Sequence, residues 1–133
     1  MDSQKMTVGG REMYAKLAKV TDAWCGLNER GFFDCWVFLD YGGSAQGFGG
    51  YCLSRYDKAK DRQVGTACGL DYVLGILRAF GASKVEDLKG RFAYALFEDD
   101  SWNSMVKGLM TTPQEGGKHF LTSEWREEWN LTS

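Results

Sequence analysis

The sequence predicts an α+β domain: an antiparallel β-sheet of about four to five strands, packed by one main helix over about residues 66–80 and by a short C-terminal helix. Three observations predict it. The run FFDCWVFLDY, residues 32–41, alternates with the period of a strand. TACGLDYVLGILRAF, residues 66–80, carries apolar residues at helical spacing between a start and a stop signal. SEWREEW, near the C-terminus, sets Trp125 and Trp129 four residues apart, so that both indoles can lie on one side of a short helix.

Residues 1–12 are polar, contain Gly9 and Gly10 and show no sustained period; they read as a flexible N-terminus, leaving residues 13–133 as one domain. KLAKVTDAWCGL, Lys16 to Leu27, reads as a strand with imperfect alternation, a short helix being the other option. Asn28 to Gly31 supplies the turn into residues 32–41, where Phe33, Cys35, Val37, Leu39 and Tyr41 form the better core face. Trp36 and Phe38 fall on the opposite face and need a cover or a partner. GGSAQGFGG is too rich in glycine to continue a regular strand, so the expected path is a hairpin with an irregular tip that leaves as YCLSRY.

Residues 55–63 read as a charged loop. Thr66 then caps a helix whose expected buried stripe is Ala67, Leu70, Val73, Leu74, Leu77 and Phe80, with Gly81 as its stop. A helical turn around Val85 to Leu88 leads to the alternating segment RFAYALFE, which pairs with SMVKGLMT through the turn formers at 99–103. TPQEGGK is a loop, and the docking helix around Trp125 and Trp129 closes the chain.

A chain of 133 residues with 44% hydrophobic and 26% charged residues has the composition of one folded domain. The net charge of −2 is too small to mark a phosphate-binding surface or an acidic DNA mimic. Cys25, Cys35, Cys52 and Cys68 form no CxxC pair, so neither a metal nor another cofactor is expected. No apolar stretch near the N-terminus resembles a secretory core, and no segment reaches the ~20 apolar residues of a membrane span. The expectation is a cytoplasmic protein with reduced thiols and no membrane contact.

The first candidate site is DYGGSAQGFGGY. Glycines let backbone N–H groups converge on an anion or approach a flat ligand, so Asp40, Tyr41, Gly42, Gly43, Gln46, Gly47, Phe48, Gly49, Gly50, Tyr51 and the nearby Arg55 form the candidate ligand-binding set. The segment is neither a Rossmann fingerprint nor a P-loop. The plain alternative is that the glycines only let a hairpin bend or a neighbour pack closely. Arg55, Lys58, Lys60 and Arg62 could hold a nucleotide among aromatics, but Asp57 and Asp61 offset half of that charge. The sole histidine, His119, lacks any motif that would make it catalytic, and the same is true of the four cysteines. No catalytic residue is assigned. Trp36, Trp102, Trp125 and Trp129 are the candidate partner-binding residues, because indoles are the side chains that most often anchor interfaces.

DYGGSAQGFGGY, followed by GTACGLDYVLGIL and VEDLKG, resembles a family of small bacteriophage and prophage proteins of unknown function, over roughly residues 16–110. The resemblance implies a phage accessory product acting in the cytoplasm of a bacterial host, and it carries over no residue role. The leading expectation is a non-enzymatic protein that binds and inhibits a host protein, including one of host defence. The alternatives are a protein that sequesters a nucleotide or cyclic nucleotide with the glycine-rich segment, and a small hydrolase-like enzyme. A homodimer through the uncovered strand face is also compatible.

Overall fold

The computed structural model describes residues 3–101 and 103–131. The chain runs β1 (Gln4–Val8), β2 (Arg11–Leu27), β3 (Phe33–Asp40), β4 (Ala45–Gly49), β5 (Ser54–Asp57), β6 (Arg62–Gly65), α1 (Ala67–Phe80), β7 (Phe92–Phe97), β8 (Gly108–Thr111), β9 (His119–Leu121) and α2 (Thr122–Glu128). The α+β class holds, with more strands than expected. Seven form one sheet in the order β4-β3-β2-β7-β8-β9, with β1 beside β2, while β5 and β6 form a separate hairpin. All pairings are antiparallel. No helix among the described residues is long and apolar enough to cross a membrane.

The additional strands are short or glycine-bearing, which is why their period does not show in the sequence. Residues 4–8, within the stretch read as a flexible terminus, pair as β1 because Met6 and Val8 find apolar partners on β2. The glycine run, expected to interrupt regular structure, is itself strand β4, in register with β3 from Trp36↔Gly49 to Asp40↔Ala45. The charged loop is the β5–β6 hairpin, and His119, directly after the loop TPQEGGK, lies on β9.

The imperfect alternation of β2 has a local cause. A bulge at Thr21 shifts the register between Val20↔Leu39 and Asp22↔Phe38. Ala18 and Val20 face the core before it, and Ala23 and Cys25 face the core after it. One extra residue therefore swaps the faces of the strand's second half.

Helix α1 starts and stops where expected: Thr66 Oγ1 accepts from Gly69 N, and Gly81 adopts the left-handed conformation that ends the helix. Its buried stripe is a different one. Gly69, Tyr72, Ile76, Ala79 and Phe80 are buried, whereas Ala67, Leu70 and Leu74 are exposed. Close approach decides the phase: a Cβ at Gly69 would run into the Leu53 carbonyl, and one at Gly75 would strike the Phe120 ring. The face with the two glycines lets the helix axis come nearest the sheet, so Tyr72 and Ile76 are buried in preference to the more numerous leucines. Tyr72 then lies edge-on to both Phe120 and Trp125, at 5.0 Å each.

The face of the sheet away from α1 is divided. At one end the strands curl until β1 approaches β9 and α2. Val8, Met13, Ala15, Leu96 and Leu121 form a second buried cluster there, and Arg11 Nη2 donates to Glu127 Oε1 at 2.6 Å across the closure. At the other end β4, β3, the second half of β2 and the start of β7 carry no covering element among the described residues.

Candidate functional site

The uncovered end is laid out in cross-strand rows. Leu17 stands opposite Tyr94; Lys19 lies between Phe92 and Asp40; Asp22 pairs with Phe38, and Phe38 with Gly47; Trp24 pairs with Trp36, and Trp36 with Gly49. Leu17, Trp24, Phe38 and Phe92 are between 38% and 49% exposed, high values for large apolar side chains on the middle strands of a sheet. Trp36 stacks on Phe38 with ring centres 5.9 Å apart and planes 11° from parallel. The surface thus has an aromatic group around the two indoles, an apolar group around Phe92 and Leu17, and a strip of Lys19, Asp22 and Asp40 between them.

The glycines of β4 build this surface. A Cβ on Gly47 would lie 2.8 Å from Trp36 Cε3, and one on Gly50 would lie 2.9 Å from the far edge of the same indole. Both distances are shorter than carbon atoms tolerate, so the indole can lie over β4 only because these positions lack side chains. Gly49 adds a backbone requirement, with φ of 150°, and a Cβ there would run into the Cys35 carbonyl oxygen. Each glycine of the GxGG stretch is therefore explained by the strand and by the ring it supports.

The ligand-binding set read from the sequence is divided between the two faces. Asp40, Gly47 and Gly49 lie on the uncovered face, while Tyr41 and Phe48 are buried in the core beneath α1. Gln46 works inside the fold: its Nε2 donates to Tyr41 Oη at 2.8 Å and to Ser104 O at 2.7 Å, and its Oε1 accepts from Val106 N. Gly42 N donates to Asp40 Oδ1 in the turn that contains Gly43. Tyr51 packs against Tyr72 and Trp125 with the Arg126 guanidinium 5.1 Å above its ring. Arg55 is exposed on the separate β5–β6 hairpin. There Lys60 reaches Asp57 at 3.8 Å and the Tyr56 hydroxyl bonds Asp61, so acids and a phenol engage part of the hairpin's charge.

Of the partner-binding tryptophans, Trp36 lies on the uncovered face, and Trp102 lies outside the described residues. Trp125 is a core residue, 6% exposed, whose Nε1 donates to Cys68 O at 2.8 Å. Trp129 is partly exposed and donates to Asp71 Oδ2 at 2.9 Å, which ties α2 to α1. His119 Nε2 lies 2.9 Å from Glu124 Oε1, linking β9 to α2.

Sequence reasoning missed Trp24, Leu17 and Phe92. Trp24 and Trp36 are the residues immediately before Cys25 and after Cys35, and they meet only through the register of β2 on β3. The signal that could have found Trp24 was the bulge at Thr21, since it alone sends residue 24 outward. The chain matches no family model, and neither a curated protein nor a solved structure shows significant similarity to it.

Proposed function

We propose that the protein is a non-enzymatic binding protein that docks on a host-cell protein through the uncovered half of its sheet and so blocks that protein, in the bacterial cytoplasm and phage setting implied by the sequence resemblance. The observation that carries the reading is the Trp24–Trp36–Phe38 group held above the glycines of β4, with Leu17 and Phe92 beyond the charged strip. Exposed aromatics on a rigid scaffold lose little side-chain entropy on binding and bury a large area each, as interface anchors do.

The charges favour a protein partner over a nucleic acid. Stacking surfaces for single strands combine aromatic rings with cations that follow the phosphates. Here Lys19 stands beside Asp22 and Asp40, a strip that repels phosphate and complements a basic side chain on a protein. The nucleotide-sequestering alternative has less support, because its residues are spread over the core, the uncovered face and the β5–β6 hairpin.

The test is affinity capture of tagged protein from host cells, run in parallel with Trp24→Ser and Phe38→Glu variants. The expected result is one host protein recovered in stoichiometric amount with the parent chain and lost with both variants, which keep the parent's far-ultraviolet circular dichroism and unfold cooperatively. A purified chain that is dimeric by light scattering and becomes monomeric with Phe38→Glu would assign the face to self-association and overturn the reading. Recovery unchanged by either variant would also overturn it.

A further inference from the structure

Cys25 and Cys35 are directly opposite each other on β2 and β3. The type of pairing follows from the backbone of β3. Phe33 turns its polar groups away from β2: its carbonyl accepts from Leu53 N at 2.9 Å, and its N–H donates to Ser54 Oγ at 3.0 Å. Cys35, two residues on, has the same phase, and its carbonyl faces Gly49 of β4. Cys25 and Cys35 are thus a non-hydrogen-bonded antiparallel pair, the kind in which α-carbons come to roughly 4.5 Å and side chains stand closest. That separation is within the range that a disulfide spans without backbone movement. Both side chains point toward α1 in the same cluster, Cys35 buried and Cys25 half-buried.

We infer that Cys25 and Cys35 are a dithiol redox pair that a small-molecule disulfide converts into a cross-strand disulfide in the folded protein. The two thiols have different parts in the exchange. Cys25 is the more exposed of the two residues, and the neighbouring Cys35 thiol favours the Cys25 thiolate and lowers its pKa. The adjacent Cys25 sulfur, together with burial, pushes the Cys35 thiol far above the usual range. The Cys25 thiolate attacks one sulfur of the oxidant, forming a mixed disulfide and releasing one thiolate, which takes up a proton. Cys35 then gives up its proton and attacks the Cys25 sulfur, forming the protein disulfide and releasing the second thiol. Two electrons and two protons leave the protein pair, and one oxidant disulfide becomes two thiols. The product staples β2 to β3 directly behind Trp24 and Trp36, which are the chain neighbours of the two cysteines on the opposite face of the same strands.

The test uses oxidised glutathione on the folded wild-type chain, followed by alkylation and intact-mass measurement. Chymotryptic mapping cuts at the aromatic residues between Cys35 and Cys52 and assigns the linkages. The expected result is loss of two of the four free thiols as an internal Cys25–Cys35 disulfide without retained glutathione, while exposed Cys52 keeps a glutathione adduct because it has no partner. With Cys35→Ala, the adduct accumulates at Cys25 instead. If wild-type Cys25 retains glutathione, or if Cys25 and Cys35 both remain alkylatable after Cys52 has reacted fully, the inference is wrong. A disulfide joining either of them to Cys52 or Cys68 refutes it equally. The wild-type arm decides the matter even if a variant fails to fold.

Discussion

The two ends of the sheet's outer face are built from the same kinds of residue and have opposite fates. At the closed end Ala15 on β2 lies opposite Leu96 on β7, and both are inaccessible. One row along, Leu17 lies opposite Tyr94, and Leu17 is 45% exposed. Neither strand changes its alternation between these rows. What changes is the cover: Val8 and Met13 of the β1–β2 hairpin and Leu121 of β9 close over the first row and stop short of the second. An apolar side chain facing outward on this sheet is therefore buried or exposed according to how far the sheet curls, and local pattern does not distinguish the two.

The largest expected effect comes from emptying the closed end. Leu96→Ala should lower stability by about 2–5 kcal/mol, the range for buried leucine truncations, measured by urea unfolding. Leu17→Ala, one row away, should cost less than about 1 kcal/mol by the same measurement, because solvent already reaches the side chain. Equal losses for the two leucines would mean that the outer face is covered along its whole length.

Next in size is a change to the indole's bed. Gly47→Ala puts a methyl group where Trp36 and Phe38 lie, and the ring or the strand must move, at a cost of about 1–3 kcal/mol for overpacking. Near-ultraviolet circular dichroism should register the displaced indole. An unchanged spectrum and unchanged stability would show that β4 does not support the ring. At the open end Phe38→Ser removes a half-exposed ring and its stack on Trp36, which should cost about 0.5–1.5 kcal/mol and abolish partner capture. Opening the closure itself should cost little: Arg11→Ala removes an ion pair between partly exposed groups, worth about 0–1 kcal/mol. Hydrogen exchange should nevertheless quicken at β1 while β3 stays protected.

The sequence made α1, its cap, its stop and the core face of β3 readable, because each depends on a few residues within one element. Thr66, Gly81 and the alternation through Phe33, Cys35, Val37 and Leu39 act over short distances, and the structure keeps all of them. The helix stripe was misread because hydrophobicity ranks leucine above glycine, whereas the packing chose the face where Gly69 and Gly75 admit the sheet. The uncovered face was half legible. Trp36 and Phe38 stood out as apolar residues on the wrong side of a strong strand, but Trp24, Leu17 and Phe92 did not. Trp125, which looked like an anchor, was taken into the core by its position against Tyr72 and its bond to the Cys68 carbonyl.

By itself, then, the sequence determined the α+β class, the main helix and its boundaries, the strongest strand with its inward face, and the glycine segment as a place where side chains had to be absent. Only the tertiary structure decided why they are absent, which aromatics share a surface, and which cysteines meet. The physical reason is range. Capping, turn chemistry and alternation are set by neighbours along the chain. Bulge position, sheet curl and strand register bring together residues from β2, β3, β4 and β7 whose separation in sequence carries no trace of their contact.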